Sequence, residues 1–262
     1  MNSTKTVSFI GAGNVATHLA KALYKNKFLI KQVFSKSFTN ANSLAKKVNA
    51  QPIDLLTQLS PNAEIYIIAV PDDAIEKVLK QFPFKNKLVV HTSGSVGVDV
   101  FSKNGFSNFG IFYPLQTFSK NKIVDFTKVP FCLEANTKTN LKSIEAVAKY
   151  LSDKIYPINS EQRQLLHLAA VFACNFSNNM YQIAFEICNQ HQIDFDILKP
   201  LIKETASKIE KYNPLEVQTG PAKRNDKKTI QKHLSLLENQ KNYQEIYRLI
   251  TESIVQSLVH KS

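Results

Sequence analysis

Residues 5–16, KTVSFIGAGNVA, decide the fold, because an apolar strand leads directly into a glycine-rich turn and then into a helix. Gly11 allows the tight turn, Gly13 lets the backbone approach a bound diphosphate, and Ala16 permits close packing of helix on strand. The first N–H groups of the helix, at its positive end, would face that diphosphate. A purely structural turn is the alternative. The predicted cofactor-binding residues here are Gly11, Ala12, Gly13, Asn14 and Val15.

Short apolar runs alternate with helical periodicity from this turn to about residue 155, which is typical of βαβ units. The run EIYIIAV is apolar after its first residue, as expected for a parallel strand buried on both faces. The pattern predicts a doubly wound α/β Rossmann sheet in a domain of residues 1–157. The predicted strands are KTVSFI, LIKQVF, EIYIIAV, KLVVH, NFGIFY, PFCLEA and KIYPI, with helices near 14–25, 39–48, 73–81 and 138–152.

The pattern is helical after Pro157, which predicts an all-α C-terminal domain of residues 158–262. Asn159 and Gln162 form a capping-box pattern, so a helix should begin there and continue as far as Asn189. Further helices are predicted near 194–211, 226–239 and 242–259. The middle of the long helix is apolar on nearly every face, so other helices or a second subunit must enclose it. We therefore expect a homodimer formed through the helical domain.

The composition, 44% hydrophobic and 21% charged over 262 residues, is that of an ordinary globular protein. The formal charge of +12 comes from lysines scattered singly along the chain. With three arginines and no nucleic-acid motif, we expect no nucleic-acid partner. The positive field would equally favour a polyanionic cofactor.

The three cysteines are far apart and form no closely spaced zinc-binding or redox pair, so we expect no metal and a reducing compartment. The first residues lack the pattern of a signal peptide. The longest apolar stretch, residues 165–176, is shorter than the roughly 18 residues needed to cross a bilayer. These features predict a cytoplasmic protein without a membrane partner.

The residues at the end of the second predicted strand indicate which nicotinamide cofactor the protein binds. Ser35, Lys36 and Ser37 stand there, and no acidic residue occurs from position 29 to 52. Hydroxyls and a lysine suit a ribose 2′-phosphate, which an acid would repel, so NADP(H) is favoured over NAD(H). The alternative is that Lys36 is simply solvated. The residues Ala69, Val70 and Pro71, at the same edge of the sheet, are predicted to line the nucleotide pocket, and the two aspartates that follow are expected to cap a helix.

Two histidines are candidate proton donors. His91 ends the strand KLVVH, and the Ser93 hydroxyl behind it could orient a carbonyl oxygen. His91 could equally terminate a buried strand and satisfy the backbone of its turn. His167 and Asn175 lie about two helical turns apart on the long apolar helix, where buried polar groups need partners. A substrate or an internal hydrogen bond would satisfy them.

Candidate substrate-binding residues lie in two further loops. Tyr113 and Gln116, in FYPLQTF, could form a wall of the site, although Tyr113 is equally plausible as a packing aromatic. In QTGPAKR, Arg224 could hold a carboxylate while Gln218 or Thr219 donates to a carbonyl, which predicts an anionic small-molecule substrate. Alternatively this loop merely separates two helices, with Asp226 as the cap of the second.

Six segments, GAGNVA, AVPDDAI, HTSGSVGVDVF, GIFYPLQTF, HLAAVFACNF and QTGPAKRND, together resemble the Rossmann-like family whose C-terminal half is the domain of unknown function 2520. The resemblance spans nearly the whole chain. It extends more distantly to pyrroline-5-carboxylate reductase, ketopantoate reductase, prephenate dehydrogenase and the 3-hydroxyacid dehydrogenases. This kinship implies an NADP-dependent oxidoreductase whose helical domain often dimerises.

One departure from the more distant relatives bears on mechanism. In the dehydrogenases an equivalent helix carries a lysine that polarises the substrate oxygen, whereas this chain has His167 in that region and Val171 at the intervening position. The expected function is hydride transfer to or from a small carbonyl, imine or hydroxy compound, with His91 or His167 as proton donor. The alternative, favoured by the missing lysine, is a non-catalytic NADP(H) sensor.

Overall fold

The computed structural model describes residues 5–119 and 122–259. The chain forms two compact units, and the boundary between them along the sequence lies between Cys174 and Asn175. The predicted division at residue 157 is the point where strands give way to helices. The first compact unit extends beyond it because the next helix is bound to the sheet through Arg163, as described below.

The first unit is built on an eight-stranded sheet with the strand order β3-β2-β1-β4-β5-β6-β7-β8. Neighbouring strands are parallel except β6 and β7, which are antiparallel. The predicted Rossmann sheet is confirmed. The strands are β1 (Thr6–Ile10), β2 (Leu29–Phe34), β3 (Gln51–Ile53), β4 (Ile65–Ile68), β5 (Leu88–His91), β6 (Asn108–Pro114), β7 (Phe131–Ala135) and β8 (Ile155–Pro157).

Helices cover both faces of this sheet. Successive side chains of a strand point to opposite faces, so β4 sends Ile65 and Ile67 into one buried apolar cluster and Tyr66 and Ile68 into the other. The first cluster includes residues of α1, α2 and α5, and the second includes residues of α3 and α4. The helices are α1 (Asn14–Lys25), α2 (Phe38–Lys47), α3 (Asp72–Gln81), α4 (Asp99–Lys103), α5 (Lys138–Ala148) and α6 (Ser160–Ala170).

The strand order reverses at β1, which has β2 on one side and β4 on the other. In open α/β sheets, ligands bind at such a switch point, outside the carboxyl ends of the strands. Because β1, β4, β5 and β6 are parallel, the loops that follow them begin at the same edge. The fold therefore brings the GAGNVA turn, the AVP segment and the loop after His91 to one edge of the sheet.

The second unit is helical, as predicted. The expected helix from Asn159 to Asn189 contains an unforeseen π-helical segment, Val171–Phe176. The helices that follow are α7 (Ser177–Gln190), α8 (Lys199–Lys208), α9 (Lys227–Leu236) and α10 (Lys241–Val259). In the described part of the chain, no helix combines the length and apolarity that a membrane span requires.

The second unit buries very little of its apolar surface. Of its described residues, 175–259, only Cys188 and Ala222 are apolar and buried. The sequence predicts that the apolar long helix is enclosed, yet Leu165 and Leu168 of α6 are 61% and 53% exposed in the single chain.

Candidate functional site

The glycine-rich turn has the geometry that its sequence predicts. Gly11 has φ of 118°, a left-handed conformation that favours glycine, and its N–H donates to the Phe34 carbonyl oxygen at 2.8 Å. A Cβ on Gly11 would collide with the carbonyl oxygen of Ala69. Gly11 thus lets β1, β2 and β4 approach one another at their carboxyl ends.

The N-terminus of α1 is open and uncapped. Gly13 is the N-cap residue, no side chain caps the helix, and its first turn holds no acidic residue. A Cβ on Gly13 would meet no heavy atom within 4 Å, and Gly13 and Asn14 are exposed. Free N–H groups and the positive end of a helix dipole beside open space suit a diphosphate. The residues present at this site therefore fit a dinucleotide cofactor.

Small polar residues surround the predicted 2′-phosphate position at the end of β2. The Ser37 hydroxyl caps α2 by accepting from the Asn40 N–H at 3.4 Å, and the Ser35 hydroxyl accepts from the Ser37 N–H at 3.3 Å. Lys36 is exposed and forms none of the ion pairs found among the described residues. Its ammonium group is available to an anion, while both serine hydroxyls also support the turn.

The segment after β4 is positioned by backbone contacts. The Ala69 N–H donates to the Ile10 carbonyl oxygen at 2.7 Å, and Ala69 is buried, Val70 half-buried and Pro71 exposed. The expectation that the following aspartates cap α3 is wrong, because Pro71 is the N-cap and no side chain caps this helix. Asp72 instead accepts a short hydrogen bond from the Ser95 hydroxyl.

His91 lies entirely within the first unit's core. It is inaccessible to solvent, and its ring stacks on Phe101 at a centroid distance of 5.4 Å. Its Nδ1 accepts from the Ser93 N–H at 3.2 Å, and Nε2 has no partner among the described residues. Burial, together with the positive charge of Arg163, lowers the pKa of His91 to about 3. This environment favours the structural role that the sequence left open for His91.

The Ser93 hydroxyl is occupied by its own turn. Ser93 is buried, and its Oγ accepts from the N–H groups of Ser95 and Val96 at 3.1 and 3.0 Å. Such hydrogen bonds hold the loop after β5 in a fixed shape. The loop in turn determines the position of Gly94, which lies between Ser93 and Ser95.

Tyr113 and His167 meet beside Gly94. The Tyr113 hydroxyl lies 3.2 Å from His167 Nδ1. A Cβ on Gly94 would stand 2.7 Å from His167 Nδ1 and 2.9 Å from Tyr113 Cζ, so both rings pack against the backbone of the loop. Burial raises the pKa of Tyr113 to about 12, so its hydroxyl stays protonated. Both side chains are half-buried, and the pair combines a titratable imidazole with a fixed hydroxyl.

The remaining candidates lie elsewhere. Gln116 is exposed, and its Oε1 accepts from the Thr117 N–H at 2.7 Å. Asn175, Gln218, Thr219 and Arg224 belong to the second compact unit. Asn175, Thr219 and Arg224 are exposed, and Gln218 is half-buried.

The loop around Gly220 interrupts the helices as its alternative interpretation predicts. Gln218 donates through its side-chain amide to the Thr219 carbonyl oxygen at 2.9 Å. Asp226 caps α9 by accepting from the Thr229 N–H at 3.1 Å. The site role of Gln218, Thr219 and Arg224 stays a prediction.

A charged group close to His167 escaped the sequence analysis. Arg163 is completely buried, and its Nη1 donates to the Glu134 carboxylate at 2.6 Å. Its other terminal nitrogen, Nη2, donates to the Val96 carbonyl oxygen at 2.5 Å. Arg163 precedes His167 by four residues on one helix, a spacing that places both on the same face. That spacing, in a chain with three arginines, is the sequence signal that could have identified it.

Two family models match the chain. The model described as domain of unknown function 2520 matches residues 129–254. The model described as NADP oxidoreductase, coenzyme F420-dependent, matches residues 6–94. A comparison with curated proteins found no match.

Several solved structures share the fold over nearly the whole chain. A Bacteroides fragilis protein assigned as an NADP oxidoreductase is 41% identical, covers 97% of this chain and 98% of its own, and superposes with a TM-score of 0.91. The chain belongs to that protein's family of NADP oxidoreductases with a domain of unknown function 2520. The family confirms the predicted oxidoreductase class and the NADP(H) cofactor.

More distant structures share the fold alone. A Thermotoga maritima protein is 24% identical, with coverage of 96% of this chain and 98% of its own and a TM-score of 0.72. An imine reductase from Myxococcus stipitatus in complex with NADP+ is 15% identical, with coverage of 97% and 94% and a TM-score of 0.73. The family's architecture thus persists at low sequence identity.

Proposed function

We propose that the chain reduces or oxidises a small carbonyl, imine or hydroxy compound, with His167 transferring the proton that accompanies hydride transfer. The observation that supports this most directly is the contact of His167 with Tyr113 and Gly94. His167 is half-buried, whereas the rival donor, His91, is sealed in the core. A proton donor must reach its substrate, so accessibility favours His167.

The hydroxyl of Tyr113 sets the orientation of the imidazole. A neutral His167 with its proton on Nε2 accepts a hydrogen bond from the Tyr113 hydroxyl at Nδ1, while a cationic His167 donates from Nδ1 to the Tyr113 oxygen. In the cationic state Nε2–H points away from Tyr113 and is available to a substrate oxygen or nitrogen. Bound NADPH would supply the hydride. In the direction of reduction, the Nε2 proton of the imidazolium passes to the substrate heteroatom, and His167 is left neutral with its remaining proton on Nδ1, donated to the Tyr113 oxygen.

The cofactor would be held by the residues already described. The N–H groups at the start of α1 face the open space at Gly13, where a diphosphate fits. Lys36, with Ser35 and Ser37, is proposed to bind the 2′-phosphate. Within the second unit, the exposed Arg224 is proposed to bind an anionic end of the substrate.

We further propose a cytoplasmic homodimer formed through the helical unit. An apolar cavity of about 250 Å³ lies in that unit between α7, α10 and the loop before α9. Met180, Ile183, Tyr247 and Ile250 are among the side chains that line it. A helical unit with so little buried apolar surface needs a further apolar partner surface.

The decisive experiment compares two histidine variants. The absorbance of reduced nicotinamide would be followed with a panel of keto acids, imines and hydroxy acids, first for the unaltered protein. His167→Gln should lower kcat by about a hundredfold while leaving the Kd for NADPH unchanged. His91→Asn serves as the control and should keep kcat within about threefold, since it removes no group that faces the substrate. Full activity of His167→Gln would refute the assignment.

The alternative function, an NADP(H) sensor without turnover, draws support from the absence of a lysine from α6, whose sequence is SEQRQLLHLAA. Tight NADPH binding without turnover of any member of the panel would favour the sensor. Turnover of one substrate that depends on His167 would exclude it.

A further inference from the structure

A polar cluster joins α6 to the sheet next to the proposed proton donor. The Arg163 guanidinium bonds to Glu134 of β7 and to the carbonyl oxygen of Val96, in the loop after β5. The Ser160 hydroxyl donates to Glu134 at 2.7 Å and accepts from the Val98 N–H at 2.9 Å. Three separate parts of the first unit therefore meet at one ion pair.

The cluster contacts the same loop that carries Gly94. The side-chain amide of Gln164, also in α6, donates to the Ser95 carbonyl oxygen at 2.8 Å. Ser95 and Val96 directly follow Gly94, against which the His167 ring packs. Arg163 therefore hydrogen-bonds the loop at Val96, and His167, one helical turn further along α6, packs against the loop at Gly94.

Full burial of Arg163 is costly for the folded state. Removing a guanidinium from water carries a large desolvation penalty that a single carboxylate often fails to offset, so a buried ion pair is weak evidence for stabilisation. The Arg163 Nε–H also has no partner among the described residues. By contrast, a planar guanidinium fixes direction as well as distance, since its N–H groups form a rigid fork.

We infer that Arg163 and Glu134 are positioning residues that hold α6 at the rotation at which His167 contacts Tyr113 and Gly94. This inference rests on the proposed function of His167. Arg163 and His167 lie on the same face of α6. A change in how Arg163 is held would therefore rotate or shift the helix backbone and move the His167 ring. A lysine at position 163 would keep the charge but could not bond Glu134 and Val96 in two fixed directions.

The test reads the environment of His167 directly. Protein labelled with ¹³C in its histidine rings gives one Cε1–H resonance for His167, assigned by its loss in His167→Gln. In Arg163→Lys we expect this resonance to shift, in the direction seen in Tyr113→Phe, because the His167 ring loses its contact with Tyr113. We also expect kcat to fall by about tenfold or more, with KM and the NADPH Kd nearly unchanged.

Two further variants make the test decisive. Lys80→Met breaks the exposed ion pair between Lys80 and Glu76 in the same unit and should leave the His167 resonance in place. Ser160→Ala removes the hydroxyl that links Glu134 to Val98, and should shift the resonance in the same direction as Arg163→Lys, by less. This variant decides the question if Arg163→Lys fails to fold.

The inference is overturned if Arg163→Lys, or Ser160→Ala in its place, is folded and His167 keeps its wild-type resonance. The resonance needs no turnover, so it decides the positioning role even if no substrate is converted. Conversely, full activity of His167→Gln would remove the proposed function while leaving a shifted resonance as support for the positioning role.

Discussion

Gly94 lies in the loop after β5, where the structure leaves no room for a side chain. A Cβ there would stand 2.7 Å from His167 Nδ1 and 2.9 Å from Tyr113 Cζ. We predict that Gly94→Ala displaces this pair and lowers kcat by about ten- to a hundredfold, since small misplacements of a proton donor are costly. The Kd for NADPH, measured by fluorescence titration, should stay within about twofold. Wild-type kcat in this variant would contradict the proposed role of the pair.

His91 should make the stability of the protein depend on pH. The unfolded chain binds a proton at His91 near the ordinary histidine pKa of 6.5, whereas the folded protein, with a pKa of about 3, does not. The unfolded state therefore binds more protons below pH 6.5, and stability falls as the pH falls. Between about pH 7.5 and about pH 5 we expect a loss of about 2 kcal/mol from this group.

The measurement compares the free energy of unfolding in urea across that pH range. His91→Asn should show a shallower decline, because an asparagine can accept from the Ser93 N–H as Nδ1 does but does not titrate. His191→Asn, at an exposed position, is the matched control and should decline like the unaltered protein. If the free energy of unfolding declined equally with falling pH in both variants, His91 would bind its proton equally in the folded and unfolded states, and the prediction would be wrong.

The sequence predicted individual residues well where backbone geometry decides their role, and less well where side chains from distant segments meet. Gly11 was identified because a strand-to-helix turn needs glycine there. Arg163 was missed because its partners, Glu134 and Val96, are 29 and 67 positions away along the chain. In the loop after His91, glycine is needed at position 94 for space, because a Cβ there would meet the distant side chains of His167 and Tyr113.

At the scale of a whole element, cofactor binding is proposed to depend on the N-terminus of α1. Gly13 occupies its N-cap and faces open space. We predict that Gly13→Asp folds normally, because aspartate is a favoured N-cap residue, and weakens NADPH binding by at least about tenfold, because its carboxylate repels the diphosphate. Isothermal titration with NADPH checks the affinity, and Tm checks the fold.

The control for this prediction is Gly13→Asn, which has nearly the same shape without the charge. Asparagine is an equally good N-cap residue, so the two variants should have similar Tm values. The difference between their affinities then measures repulsion of the anion apart from loss of space. Equal affinity of Gly13→Asp and the unaltered protein would remove the basis for placing the diphosphate at α1.

At the scale of whole elements, the sequence predicted most strands and helices from their apolar pattern. β3 and α4 have three and five residues, too few for a repeating pattern, and were missed, whereas β8, also of three residues, was predicted from the run KIYPI. Pro52 inside β3 also argues against a strand, and is tolerated because β3 lies at the edge of the sheet. The π-helical segment Val171–Phe176 contains no proline or glycine and continues directly from α6 into α7, so the sequence pattern predicted one unbroken helix there.

The two units of the molecule differ in how they are stabilised. The first contains nearly all of the buried apolar residues and forms two continuous cores on either side of its sheet. The second exposes large apolar side chains, including Tyr181, Phe185 and Leu249. Because burial of apolar surface is the main favourable contribution to folding, the first unit contains its own driving force, and the second depends on an additional surface.

That dependence predicts a stable homodimer. Sedimentation equilibrium at micromolar concentration should give twice the chain mass of 29.6 kDa, and Tm should rise with protein concentration, because association stabilises the folded state by mass action. Ile250 lines the cavity of the helical unit and is 43% exposed. Ile250→Glu would place a charge in the dimer interface that we propose, and should shift the protein towards monomer and lower its Tm.

Gln256→Glu adds the same charge at an exposed position of the same helix and should leave mass and Tm unchanged. A mass of 29.6 kDa for the unaltered protein, with a Tm independent of concentration, would contradict the dimer. The helical unit would then have to be stable with its apolar side chains in water, at a cost of about 25 cal/mol for each Å² left exposed. Such a cost is large beside the few kcal/mol by which most domains are stable, so the mass measurement tests the physical basis of the dimer as well as its existence.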